Sequence, residues 1–358
     1  MNKHTIGDLY QMQSLPLKAK IIMTQQRIRG WYDNFDGNVY ISFSGGKDST
    51  VLVDIVTNMG LTDIPLVFVD TGLEYPEIRE FVKGYGDRVT WLKPKLNFKQ
   101  VIEKYGYPMI SKEVSQTIEE VRSYIRKHDG NPEGFYRWKK LCGEAIDKKT
   151  GKPSQYNIPQ YKFLIESPFN ISHKCCGVMK KSPTKEYEKE TGREPITAQM
   201  ACESRLRLTE WIKHGCNAFD KKRPISNPMS FWTEQDVLQY IKDKGIPICS
   251  VYGDIIEDLT GTEEVEGQLT MSDVPGWEDQ GDFDAKRLPL KTTGCDRTGC
   301  MFCGFGCHLE KKESRFERMK QSHPKQYDYI MRPKEQGGLN YKEVIDWINE
   351  HGNMSIRY

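Results

Sequence analysis

The chain has 358 residues, 37% hydrophobic and 28% charged, with 52 Lys or Arg against 50 Asp or Glu. Such a balance excludes wholesale disorder, and a net charge of +2 offers no global attraction for nucleic acid or an anionic membrane, so any such partner must meet a local patch. No run of about 18 apolar residues occurs and the first residues lack a continuous apolar stretch, so no membrane contact and no signal peptide are expected. A cytoplasmic protein is predicted, in which the ten cysteines serve packing, catalysis or metal binding rather than disulfides.

Along the chain, Leu15, Ala19, Ile22, Met23 and Ile28 recur at helical spacing, with Lys18, Lys20, Arg27 and Arg29 on other faces. This predicts an amphipathic helix over 15–32, within an N-terminal helical segment of residues 1–35. Residues 38–43 form a short β-rich run that ends at two glycines, and 50–59 read as a buried helix. The strand pattern returns at 65–72 and 89–94, and again, after a gap, at 194–205. Strands alternating with helices predict an α/β fold built on a doubly wound, mostly parallel sheet. Ligands of such sheets bind beyond the carboxyl ends of the strands, where Ser44 and Asp70 are expected.

We assign this α/β domain to residues 36–250, with a basic insertion at about 120–160. Residues 251–358 are read as an acidic loop, a cysteine cluster region and C-terminal helices. Within the insertion, 122–152 hold nine Lys or Arg against four Asp or Glu, interleaved with Tyr124, Phe135, Tyr136 and Trp138. A solvated excursion is the ordinary reading, while basic residues mixed with aromatics could also grip a single-stranded nucleic acid by phosphate contact and base stacking. Residues 254–284 carry the opposite bias, eleven Asp or Glu and no Lys or Arg, which would repel a phosphate backbone.

The stretch Ser44-Gly45-Gly46-Lys47-Asp48-Ser49-Thr50 lacks the spacing of a kinase-type phosphate loop. It nevertheless places glycines, a cation and hydroxyls where a strand enters a helix, so backbone N–H groups at the positive end of the helix dipole favour a polyanion. Asp48 is a candidate ligand for the Mg2+ that accompanies nucleotide phosphates, and Lys47 neutralises charge. The seven histidines form no metal-binding pair, and no Ser-His-Asp arrangement stands out.

Three separated stretches carry a family resemblance. "SGGKDS" resembles the PP-loop of the ATP pyrophosphatases, the adenine nucleotide α-hydrolase-like superfamily that includes the phosphoadenosine phosphosulfate (PAPS) reductase family. "VDTGLEYPE" is similar to the second motif of that family, and "NPMSFWTEQDVLQYIKDKGIPICSVYGD" to its later region. The resemblance implies ATP on the loop, cleavage at the α-phosphate, and nucleotide contacts from Ser44 to Thr50 and from Asp70, Thr71 and Gly72. Sulfonucleotide reductases of the family commonly alter the PP-loop and carry a cysteine in an "ECGLH"-like tail. Here Gly-Gly-Lys-Asp is intact and no cysteine follows Cys307, and both differences favour ATP over APS or PAPS.

Six cysteines crowd into "HKCCGVMKKSP" (173–183) and "GCDRTGCMFCGFGC" (294–307). Soft thiolates at this density suit an iron–sulfur cluster or zinc, and spacing alone does not separate the two. Tandem cysteines followed by lysine and proline, then a distant Cys-x-x-Cys, resemble the [4Fe–4S] signature of APS reductases, and Cys-x-x-Cys-x-x-x-Cys resembles the iron–sulfur ATP pyrophosphatases of DNA phosphorothioation systems. The resemblance therefore implies a [4Fe–4S] cluster, with zinc as the lesser alternative. Cys175, Cys300 and Cys303 are expected ligands, Cys176 and Cys307 compete for a fourth place, and Cys295 is an outside candidate. Cys142, Cys202, Cys216 and Cys249 are read as packing residues.

Lys47, Asp48, Asp70 and Arg205 are the expected catalytic residues. The leading reading is an ATP-dependent enzyme that adenylates an acceptor, releases pyrophosphate and transfers sulfur, served by an adenine nucleotide and a sulfur donor or reductant protein. A sulfonucleotide reductase producing sulfite, and a nucleotide-binding redox or structural subunit of a larger complex, are the alternatives.

Overall fold

The structure, a computed structural model, describes residues 2–259 and 288–358. The described residues fall into two compact units that interleave along the chain, one drawn from 1–68, 76–90 and 191–298, the other from 69–75, 91–190 and 299–358.

The first unit is built on a mixed α/β frame with a mostly parallel sheet. Its strands are β1 (Val39–Ser42), β2 (Leu66–Val69), β3 (Val89–Leu92), β4 (Glu194–Ile196), β5 (Asn217–Ala218) and β6 (Ile225–Ser226), in the order β3-β2-β1-β4-β6-β5. The central strand β1 pairs parallel with β2, Ile41 opposite Leu66, and with β4, Ile41 opposite Ile196. Val39, Tyr40 and Ile41 are all buried in succession, the mark of a strand covered on both faces. The outermost pair, β5 and β6, runs antiparallel.

The helix after β1 spans Lys47–Asn58 and buries Val51, Leu52, Val53, Ile55 and Val56, so it is apolar nearly all round. It begins three residues earlier than its hydrophobic run, because Gly46 is the cap and the polar Lys47, Asp48 and Ser49 already turn in the first helical turn. The N-terminal helix runs Leu17–Asn34 and is fastened to the same unit by the Trp232 indole N–H donating to Thr24 Oγ1 at 2.9 Å and by Lys20 on Asp236 at 2.7 Å. Of the expected strand at 194–205 only Glu194–Ile196 is β. Thr197 N–H still reaches Ser226 O, but the neighbouring β6 is two residues long, and the chain then turns through Ala201–Glu203 into a helix at Arg205–His214.

Residues 260–284 of the acidic stretch lie outside the described residues. Their flanks, Ile255–Glu257 and Leu290–Thr292, pair antiparallel, and Glu257 and Asp258 meet Lys242 and Lys291.

The second unit has its own core, in which Val101, Ile102, Val114, Ile118, Leu164, Phe302, Phe316, Val344 and Ile348 are buried. Gly304–Phe305 pairs parallel with Met109–Ile110, and Ile110 sits at φ 63°, a region that β-branched residues rarely enter. Tyr107 OH donates to Leu339 O at 2.9 Å and Tyr341 OH to Phe302 O at 2.7 Å, which pins the C-terminal helix Tyr341–Gly352.

Much of the basic stretch 122–152 is satisfied internally. The Arg122 guanidinium donates to the carbonyls of Leu164, Ile165, Ser167 and Phe169, while Arg137 and Lys140 pair with Glu120 and Glu113. Tyr124 stacks between His128 and Phe135, at centroid distances of 3.7 and 4.5 Å. No described helix is long and apolar enough to cross a membrane.

Candidate functional site

The phosphate-loop candidates sit where the sheet logic puts them, between the end of β1 and the helix Lys47–Asn58. Ser44 and Ser49 tie the loop across itself. Ser44 N–H donates to Ser49 Oγ at 3.2 Å, the two hydroxyls lie 3.0 Å apart, and Ser49 Oγ donates back to Gly46 O at 2.9 Å. Thr50 Oγ1 also donates to Gly46 O, at 3.1 Å. Gly46 N–H donates to Ser44 Oγ at 3.3 Å, and together these bonds tie the loop across the helix N-terminus, where backbone N–H groups favour phosphate.

Lys47 is buried, its backbone N–H donating to Tyr252 OH at 3.2 Å and its ammonium meeting Glu234 at 3.1 Å and Asp296 O at 2.5 Å. Tyr252 OH in turn shares a hydrogen with Thr298 Oγ1 at 2.8 Å, and burial pushes its phenol up to about 12. Asp48 has a buried Oδ1 with no hydrogen-bond partner. Burial raises its carboxyl above the ordinary range, against the pull of Lys47, Arg297 and Arg207, and with Glu234 adding to the rise. A buried carboxylate oxygen left without a donor is an open valence for a cation, which is what a nucleotide-bound Mg2+ provides.

The guanidiniums that bear on Asp48 belong to Arg207 and Arg297; Arg205, the expected one, is exposed. Two residues apart on a helix, Arg205 and Arg207 point to nearly opposite faces, so choosing between them needs the helix's orientation. Arg297 escaped the reading because it lies among the cysteines, and it joins Arg207 on Glu203, 3.3 Å from that carboxylate. Tyr252 and Glu234 were also missed. Cys202 departs from its reading as a packing residue. It is exposed, its Sγ lies 3.6 Å from Trp232 O, and its thiol is raised first by burial and also by Glu234 and Asp48, against Arg297.

Asp70, Thr71 and Gly72 belong to the second unit. Asp70 is buried and its Oδ1 accepts from Gly72 N–H at 3.2 Å, while Glu74 accepts from the Thr71 N–H at 3.0 Å and from its hydroxyl.

Glu74 links this turn to the thiols. Lys180 lies 3.6 Å from Glu74, and although burial works to lower its pKa, Cys300, Glu74 and Cys176 carry it well above the ordinary lysine value. Lys180 sits in a single π-helical turn, Gly177–Lys181, closed by Ser182 N–H on Gly177 O immediately after the tandem cysteines. Such turns widen a helix by one residue and recur at functional sites.

The Cys175 thiol is pushed far up by burial and by its neighbours Cys176, Cys300 and Cys303. Cys300 is raised to about 11, chiefly by burial and against Lys180. Cys303 is raised by burial and eased by the Phe305 N–H and Arg315. Cys307 is held at about 12 by burial, and its Sγ turns onto Gly304 O at 2.9 Å. Cys295 falls in the first unit, so the structure brings Cys175, Cys176, Cys300 and Cys303 within electrostatic reach of one another, with Cys307 beside them.

Among the described residues no three His, Cys, Asp or Glu side chains converge in metal-ligating geometry. The donor set is still of the right chemistry. The thiols of Cys175, Cys300 and Cys303, each raised chiefly by burial, have Lys180 as a close cation and Cys176 beside them, and a thiophilic metal centre would relieve the remaining repulsion.

The sequence model of the phosphoadenosine phosphosulfate reductase domain matches residues 38–132 and 145–304. An uncharacterised protein of Methanocaldococcus jannaschii is 34% identical over 121 residues, 31% of this chain and 29% of its own. The adenosine 5'-phosphosulfate reductase of Staphylococcus epidermidis is 28% identical over 101 residues, 27% of this chain and 39% of its own, so this chain spans well under half of each of these relatives. The solved phosphoadenylyl-sulfate reductase of Candida auris, in its phosphate complex, aligns over 69% of this chain and 90% of its own, with 14% identity and a TM-score of 0.34. The two segments matched by the domain cover more than half of the chain and hold the Ser44–Thr50 loop together with Cys175, Cys176, Cys300 and Cys303, and the chain belongs to the phosphoadenosine phosphosulfate reductase family.

Proposed function

We propose that this enzyme binds Mg-ATP on the Ser44–Thr50 loop, adenylates an acceptor and supports sulfur transfer to it. The observation that carries the reading is the loop itself. An intact Gly-Gly-Lys-Asp at a helix N-terminus supplies backbone donors, a buried lysine, and Asp48 with an unpartnered carboxylate oxygen for Mg2+. In the reaction, an acceptor oxygen attacks the α-phosphorus as the bond to the β-phosphate breaks. Pyrophosphate leaves along the loop, and a sulfide-level nucleophile then displaces AMP.

Lys47 and the loop N–H groups stabilise charge as it develops on the leaving phosphates. Arg207 and Arg297 offer further cations beside Asp48. Cys175, Cys176, Cys300 and Cys303 would hold a [4Fe–4S] cluster, which supplies soft sulfur ligation and electrons when bound; zinc is the lesser alternative. Lys180 holds positive charge against Cys300 and would keep a sulfur anion there from being expelled.

Reduction of APS or PAPS is the second reading, favoured by the names of the curated relatives. Thermal unfolding of anaerobic protein with Mg-ATP, APS and PAPS in parallel separates the two, since a ligand at about 100 times its Kd stabilises the folded state by about 2.7 kcal/mol. Stabilisation by Mg-ATP with release of pyrophosphate supports adenylation. Stabilisation by a sulfonucleotide alone, with sulfite formed, replaces it with the reductase.

A further inference from the structure

Two surface grooves of the second unit meet at a shared wall made of Lys104 and Tyr105. The first, of about 480 Å³, is lined by Arg122, Arg126, Lys174 and Glu119; the second, of about 500 Å³, by Lys93, Lys95, Lys181, Lys185 and Glu186. Eight cations therefore face two carboxylates on a chain whose net charge is only +2. Lys95 and Lys174 are taken by Glu186 and Glu119, and Arg122 by backbone carbonyls. Among the described residues Lys93, Lys104, Arg126, Lys181 and Lys185 are exposed and meet no carboxylate. Such a concentration of unpaired cations is a site for a polyanion.

Two further observations select the polyanion. Tyr105 stands where the grooves join, half-buried, with the ammonium groups of Lys104 and Lys174 each 5.4 Å from its ring centroid. An aromatic platform flanked by cations is how base stacking and phosphate contact are combined. The grooves also flank the tandem thiols, since Lys174 directly precedes Cys175, and Gly177, which directly follows Cys176, lines the second groove.

We infer that this double groove binds single-stranded nucleic acid, the phosphates lying on Lys93, Lys104, Arg126 and Lys185 and a base on Tyr105. No residue of the nucleotide loop lines either groove; only the use of this surface as a sulfur-acceptor site rests on the function proposed above.

The test is fluorescence anisotropy of a labelled single-stranded oligonucleotide of about 20 residues, without ATP, between about 50 and 200 mM salt. Each phosphate neutralised contributes about 0.7 to the salt slope of a single strand, so a log–log slope of about −2 to −4 is expected. The triple variant Lys93→Ala, Lys104→Ala, Lys185→Ala weakens binding at least about tenfold and reduces the slope by about 2. Tyr105→Leu weakens binding about fivefold or more with the slope unchanged. Thermal unfolding of each variant confirms that it is folded, and the exposed lysines keep the test valid if Tyr105→Leu does not fold. No binding at low salt, wild-type affinity in the triple variant, or a duplex bound as tightly as the single strand would overturn the inference. So would equal competition by an oligoglutamate with no effect of Tyr105→Leu, which would assign the grooves to an acidic polypeptide.

Discussion

Adjacent glycines in the phosphate loop should fail in different ways when given a side chain. Gly45 has φ +69°, and a Cβ there would lie 2.7 Å from Val82 Cγ2 and 3.0 Å from Ile78 Cγ2, both side chains buried. The left-handed conformation costs an alanine about 1–2 kcal/mol, and forcing a methyl into a packed core costs about 1–3 kcal/mol more. Gly45→Ala should therefore lose about 2–5 kcal/mol, a large part of the 5–15 kcal/mol typical of a folded protein. Gly46 has an ordinary φ of −80°, and its Cβ would meet only the hydroxyls of Tyr252, Ser44 and Thr298, at 3.1, 3.2 and 3.3 Å. Those oxygens can yield by a few tenths of an ångström, so Gly46→Ala should lose no more than about 1 kcal/mol of stability. Its methyl instead stands in the cradle that a phosphate must enter, and ATP affinity should fall at least tenfold, about 1.4 kcal/mol. Urea unfolding and an ATP titration on both variants separate the effects. A Gly45→Ala midpoint at the wild-type value, or wild-type ATP affinity in Gly46→Ala, would refute the geometry on which the loop assignment rests.

Asp48→Ala should raise stability while abolishing turnover, because the orphaned Oδ1 costs about 1–3 kcal/mol in the folded state, or about 2–4 °C in Tm for each kcal/mol. Since burial holds the Asp48 pKa above its unfolded value, its stabilising proton is bound at acid pH and lost as pH rises through the folded value; the gain from Asp48→Ala should be smallest at acid pH and grow as pH rises above the ordinary aspartate range, as followed by calorimetry. Tyr252→Phe removes the acceptor of the Lys47 N–H, so the free protein should lose about 1 kcal/mol and ATP should bind a few-fold more tightly by calorimetric titration. After anaerobic reconstitution with iron and sulfide, Cys176→Ser, Cys300→Ser and Cys303→Ser should each lose most of the bound iron, whereas Cys307→Ser, whose sulfur is turned onto Gly304 O, should keep it; the reverse pattern for Cys176 and Cys307 would reassign the fourth ligand.

The loop was legible in the sequence because all its determinants are local: a β-rich run, two glycines, then a helix within about a dozen residues. The thiols were legible through density alone. What surrounds Lys47 was not, since Tyr252 and Asp296 lie more than 200 positions away and the motifs that contain them do not say that they meet the loop. Arg205 is the arginine the sequence singles out because proximity to a strand end can be read from a sequence, whereas the face a helix presents, which brings Arg207 to Asp48, depends on what packs against it. Cys202 was read as packing for a similar reason, as only tertiary structure leaves it exposed beside Asp48. The helix Lys47–Asn58 and the strand Glu194–Ile196 differ from their hydrophobic runs at the ends, where capping and the length of neighbouring strands override propensity.

The interleaving of the two units along the chain bears on how the protein is made. The core of the second unit joins Tyr107 to Leu339 and Phe302 to Tyr341, and its Met109–Ile110 strand pairs, among the described residues, with Gly304–Phe305. None of these contacts can close until the ribosome has delivered their partners at residues 304–341. Loops of about 200 residues must then be drawn shut, which favours slow folding through collapsed intermediates. The thiols are exposed throughout that interval, so the order of events during synthesis, with Cys175 and Cys176 waiting for Cys300 and Cys303, makes the nascent chain most vulnerable to oxidation just before its core forms.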